Sequence, residues 1–100
     1  MIQIKNPLRF HYIKHPKVKS TATVATLVKD KNVIVAFAFC SPKDQFCKAI
    51  GRSIAEGRLA KSHLMVPFNE RSFNAIADAW ESQTIKKPKI WSKSFNYYVQ

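Results

Sequence analysis

Residues 21–28 are rich in β-branched side chains and alternate with a period near two, as a half-buried strand does. Lys29, Asp30, Lys31 and Asn32 then supply turn chemistry, and residues 33–40 (VIVAFAFC) run apolar without a break. The two segments predict a β-hairpin over about 21–40. Its second strand is apolar on both faces, which places it centrally in a sheet with a helix over at least one side. Upstream, residues 9–14 (RFHYIK) are strand formers bracketed by Pro7 and Pro16, and predict a further extended element.

The period changes at Ser41. A capping hydroxyl, Pro42 at the first helical position and Asp44 three residues after the cap predict a helix start. Phe46, Ile50, Ser53, Ile54 and Gly57 then share one side, opposite Asp44, Gln45, Lys48, Arg52 and Glu56, so the helix is predicted over 42–56 with Gly57 as its stop. Residues 62–66 predict a short strand ending at Pro67. Asn69 caps a second predicted helix, about 70–82, whose stripe is Phe73, Ile76, Ala77 and Trp80. After Pro88 the alternation of Phe95, Tyr97 and Val99 suits an edge strand or an arm. The whole predicts an α+β fold: a small antiparallel sheet of three to five strands with two amphipathic helices packed on one face.

Length and composition make this one domain over residues 1–100. At 100 residues, 46% of them apolar, with two Gly and five Pro, the chain is too apolar for a disordered tail and too short for most two-domain enzymes. The longest apolar run is eight residues, against the roughly 20 that cross a bilayer, and residues 1–7 carry no secretory core. A cytoplasmic location is expected, in a host cell if the gene belongs to a phage, with no membrane partner.

Charge changes the picture most. The formal net charge is +11, yet residues 1–29 and 82–100 contain no acid at all. Residues 1–20 hold a net +5 and residues 84–100 a net +4, leaving +2 for the 63 residues between. Chain ends often lie near one another, and here their meeting creates one positive surface; the other reading is a pair of solvated ends that keep the protein soluble. The candidate polyanion contacts are Arg9, Lys14, Lys17 and Lys19; Lys86, Lys87, Lys89 and Lys93; and, on and beyond the first helix, Lys48, Arg52, Arg58 and Lys61. The last segment interleaves lysines with aromatics, so Trp91 or Tyr98 is a candidate base-stacking ring; alternatively Trp91, Phe95 and Tyr97 complete the core. Gly51, within the helix, marks close approach of either a phosphate backbone or a neighbouring strand.

Other chemistry is sparse. Cys40 and Cys47 lack zinc-site spacing, and with no secretory signal they are expected reduced, as small core hydrophobes. His11 and His15 are four apart, but Pro16 disfavours a helix there; His63 stands alone. No catalytic triad, P-loop or carboxylate pair is present, so no enzyme activity, metal or cofactor is expected.

Segment 39–59 (FCSPKDQFCKAIGRSIAEGRL), with its Gly-Arg-x-Ile-Ala-x-Gly-Arg run, resembles a strand–helix segment of small accessory proteins of bacteriophages and other mobile elements. The resemblance covers about a fifth of the chain and implies a phage context, with nucleic acid or a host-defence component as partner. It identifies no catalytic residue. The expected function is sequence-tolerant nucleic-acid binding. The alternatives are an anti-defence inhibitor (such as an anti-CRISPR) or adaptor docking on an acidic protein or ribonucleoprotein, and a structural or assembly factor.

Overall fold

The computed structural model describes residues 8–41, 43, 45–61, 64–82, 85 and 87–99. Strands β1 (Leu8–Lys14), β2 (Thr21–Lys29) and β3 (Asn32–Phe39) form a meander; helix α1 (Lys48–Lys61) leads to β4 (Leu64–Pro67), then α2 (Ser72–Glu81). A 3-10 turn (Lys89–Trp91) and the single-turn α3 (Phe95–Tyr98) close the described chain. The sheet order is β1-β2-β3-β4, every neighbouring pair antiparallel. This is the predicted α+β class.

The hairpin forms where the pattern places it, in register from Ala22↔Phe39 to Lys29↔Asn32. That register leaves Asp30 and Lys31 as a two-residue turn. Asp30 takes φ 57°, a left-handed conformation that Asp tolerates better than most side chains.

The two helices do not share a face, which corrects the expected packing. Val33, Val35 and Phe37 of β3 pack with Trp80 of α2 and with Trp91, Phe95 and Tyr98. Ile34, Ala36 and Ala38 point the other way, onto Ala55 and Leu59 of α1. A strand apolar on both sides leaves one side in water unless both are covered. One helix per face, with the C-terminal turns extending the second layer, meets that demand.

Helix α1 also differs from its predicted span of 42–56. It begins at Lys48, and Ser41 caps only a local turn, its Oγ accepting from the Lys43 N–H at 3.3 Å; Pro42 and Asp44 lie outside the described residues. Phe46, set before the helix, instead turns its ring edge-on to Tyr12 of β1 at 6.0 Å. The helix runs through Gly57 to Lys61, because Ala55 and Leu59 continue a buried stripe past it. That stripe, Gly51–Ala55–Leu59, lies about one residue round from the predicted one, and Ile50 and Ile54 are left 61% and 44% exposed. Gly51 answers its own question: a Cβ there overlaps Thr23 Oγ1 and sits 3.3 Å from Thr23 Cβ, so the close neighbour is a strand.

Asn69 accepts from the Arg71 N–H at 2.7 Å and so shapes the turn into α2 rather than its first helical residue. The expected C-terminal strand is also corrected. Trp91 closes a 3-10 turn, and after an extended Ser94 the residues Phe95 and Tyr98 share one side of α3 and are both buried, whereas an alternating strand turns Tyr98 outward.

Candidate nucleic-acid interface

Residues 15–20, between β1 and β2, rest against residues 90–98. Nε2 of His15 donates to the Ile90 carbonyl oxygen at 2.6 Å, and its Nδ1 accepts from the N–H groups of Lys17 and Val18 at 3.0 and 3.2 Å. A carbonyl can only accept and a backbone N–H can only donate, so the ring serves as its Nε2–H tautomer. The same imidazole lies 5.0 Å from the Trp91 ring and 5.2 Å from that of Tyr98. Behind it, the buried Ser20 hydroxyl donates to the Cys40 carbonyl at 2.6 Å and accepts from Trp91 Nε1 at 3.2 Å. Three stretches far apart in sequence are thus tied at one point, and its buried polar atoms are satisfied.

The consequence is electrostatic. Lys14, Lys17 and Lys19 on one side of this seam, and Lys89 and Lys93 on the other, are all exposed. Lys93 is held from behind, its N–H donating to Tyr98 Oη at 2.9 Å and its carbonyl accepting from Trp80 Nε1 at 2.8 Å. Residues 15–20 and 89–98, the described parts of the two acid-free ends that meet here, therefore lie side by side. His15→Ala is expected to lower stability by about 2 kcal/mol, the worth of a lost carbonyl bond, a lost turn acceptor and ring contacts. Urea unfolding measures it, and a loss below about 0.5 kcal/mol contradicts the clasp.

β1 is an edge strand, and its margin continues the basic surface. Arg9, His11 and Lys14 are exposed along it, which also keeps the edge from pairing with another chain. Across from it on α1, Lys48 Nζ stands 5.0 Å from the centroid of the Tyr12 ring, and Arg52 donates to Tyr12 Oη at 3.0 Å while lying over Phe10 at 6.0 Å. Tyr12, Phe10, Phe46, Lys48 and Arg52 thus form a mixed aromatic and cationic cluster. Sequence reasoning found its cations but not its rings, because period-two apolar residues in β1 read simply as strand formers.

The remaining predicted contacts fall elsewhere. Arg58 Nη1 donates to the Phe37 carbonyl at 2.8 Å, and Lys61 is exposed at the end of α1. Lys87 is turned inward, donating to the Trp80 carbonyl at 2.9 Å with its ammonium 5.0 Å from the Trp80 ring centre, so it is a clamp on α2 rather than a phosphate contact. Lys86 and His63 lie outside the described residues. The stacking role for Trp91 and Tyr98 is corrected: Trp91 is 0% and Tyr98 8% exposed, wedged against Trp80 and one another. A small domain short of apolar volume uses its rings as core.

A cavity of about 240 Å3 opens beside the first turn of α1, lined by Ala38, Phe39, Phe46, Ile50 and Ile54 with Thr23 beneath. Thr23 is fully buried, and its Oγ1 has no hydrogen-bond partner. Cys40 and Cys47 border the same cavity without forming a disulfide; Cys47 is exposed, which corrects its expected place in the core. Among the described residues no three His, Cys, Asp or Glu side chains gather to hold a metal, and no helix is long and apolar enough to cross a membrane. Comparisons with protein-family models, curated proteins and solved structures find no match to the chain, so its chemistry has to be read from its own residues.

Proposed function

We propose that this protein binds nucleic acid without sequence preference, the phosphates lying along the β1 margin and across the seam between residues 15–20 and 89–93. The observation that carries this reading is the His15–Ile90 and Trp91–Ser20 clasp, which sets Lys14, Lys17 and Lys19 beside Lys89 and Lys93. Like charges gathered on one surface repel, and a polyanion relieves that repulsion while releasing its own counterions. Lys48 and Arg52 extend the same surface toward α1.

An anisotropy titration tests it. Six phosphate contacts on a single strand give a slope of log affinity against log salt of about −4. Changing Lys17, Lys19, Lys89 and Lys93 together to Gln is expected to flatten that slope by about 3 and to weaken binding alike for all sequences. Absence of any binding at about 50 mM salt overturns the reading.

A second reading has its own observation. Phe68 and Phe73, on either side of the turn between β4 and α2, are 59% and 47% exposed. Exposed rings apart from the basic margin suit a protein partner, as in an inhibitor docking on an acidic host protein or ribonucleoprotein. After nuclease treatment a pull-down then retains one stoichiometric partner and Phe68→Ser releases it; loss of every partner with the nuclease counts against it.

A further inference from the structure

We propose that the outer edge of β1 takes up an extended acidic peptide segment of a protein partner as a fifth strand, an interaction beyond the nucleic-acid reading. The ladder fixes which groups face outward. The His15 N–H donates to the Ser20 carbonyl at 2.9 Å, in register with Lys14↔Thr21 and the pairs before it. Bonded and non-bonded pairs alternate along an antiparallel ladder, so Arg9, His11 and Ile13 turn their backbone groups to β2. The N–H and C=O of Phe10, Tyr12 and Lys14 therefore point away from the sheet. β1 is the first strand in the sheet order, and no described residue bonds to those outward groups.

The opposite edge is closed by ordinary means. The Phe68 N–H donates to the Lys31 carbonyl at 2.8 Å, and by the same alternation Met65 and Pro67 face outward on β4. That strand is four residues long, and proline has no N–H to offer. β1 runs seven residues without proline, glycine or a break in its pairing. Sheets blunt their edges with short strands and prolines, and β1 uses neither.

Two observations name the partner. The edge offers donors and acceptors in turn, and a peptide strand answers both; phosphate oxygens only accept and would face the outward carbonyls unfavourably. Charge supplies the sign. Phe10, Tyr12 and Lys14 share one side of β1, where Lys48 and Arg52 reach the two rings from α1. Arg9 and His11 are exposed on the other side, and residues 1–29 hold no acid to balance any of them. The charges that deter an ordinary chain from this edge attract a strand with acidic side chains at alternate positions. Such a strand also gives the half-buried Phe10 and Tyr12 rings cross-strand neighbours.

Anisotropy and NMR amide exchange test it with a labelled heptapeptide of alternating Glu and Thr, its ends blocked, under low-salt conditions. The peptide is expected to bind and to slow exchange about tenfold at the outward amides of Phe10, Tyr12 and Lys14. The amides of Arg9, His11 and Ile13, already paired with β2, are expected to stay as they are. The same peptide with N-methylated amides keeps its charge and loses its donors, and is expected to bind about tenfold more weakly. Lys14→Gln/Lys48→Gln, at exposed positions, is expected to weaken the parent peptide about threefold, and undiminished binding overturns the acidic pairing. Absence of peptide binding at about 1 mM, equal affinity of the two peptides, or outward amides that exchange as before overturns the fifth strand. A single-stranded oligonucleotide that slows the same amides equally assigns the edge to nucleic acid and likewise overturns it. Oligonucleotide binding without peptide binding overturns the fifth strand alone and leaves the nucleic-acid reading standing.

Discussion

Trp91→Ala is expected to cost about 4 kcal/mol of folding stability, within the range for removing a fully buried aromatic side chain. Trp91 is 0% exposed and contacts the rings of Phe39, Trp80, Tyr98 and His15 at 4.8–6.5 Å, while its Nε1–H holds Ser20. Truncation leaves a ring-sized void and strips the Ser20 hydroxyl of its donor. A domain of this size has about 5–15 kcal/mol in all, so the variant stands near unfolding at physiological temperature. Trp91→Phe, which keeps a six-membered ring but loses the pyrrole half of the indole and the bond to Ser20, is expected to cost about 2–3 kcal/mol. Urea denaturation with unchanged m-value measures both. Were Trp91 a stacking ring on an exposed arm, the alanine variant would keep its stability and lose only nucleic-acid affinity; a loss under about 1 kcal/mol contradicts its place as the seam's core.

Gly51→Leu is expected to destabilise by about 3 kcal/mol, at the upper end for forcing extra methylenes into a packed layer. Even a single Cβ at Gly51 overlaps Thr23 Oγ1 and crowds Thr23 Cβ at 3.3 Å and Phe46 Cε1 at 3.4 Å. Thr23 is itself fully buried on the central strand β2, so it has little room to yield. The helix gain from replacing glycine, about 1 kcal/mol, offsets only part of this. Gly57→Ala provides the control: nothing lies within 4 Å of its added Cβ, and the same helix gain is expected to appear as about 0.5–1 kcal/mol of added stability. Two glycines in one helix thus respond with opposite sign. Thermal or urea unfolding of the two variants side by side checks it, and a Gly51→Leu protein as stable as the parent contradicts the close contact of α1 with β2.

The amino-acid sequence by itself determined the local elements and where the charge lies. Residues 21–40 could hardly avoid a hairpin, since their period, turn chemistry and doubly apolar second strand all agree. The stripe through Phe73, Ile76, Ala77 and Trp80 marked α2, although Phe73 at its first turn stays 47% exposed, and the acid-free ends were countable before any fold was known. Tertiary structure decided everything that depends on two surfaces at once. The sequence of 46–59 offers two neighbouring stripes, Phe46–Ile50–Ile54 and Gly51–Ala55–Leu59, and hydrophobicity favours the first. The second is buried because the sheet face it meets is built from Ala25, Ala36 and Ala38, low enough for the helix to come close. How near two layers approach is a property of both, so the helix sequence alone could not settle its rotation. The same reason hid the clasp: His15 and Ile90 stand 75 residues apart, and no local period records a partner that far along the chain. Whether the exposed lysines at 14–19 and 89–93 stood apart or side by side was decided there, by an imidazole and an indole that join the two segments.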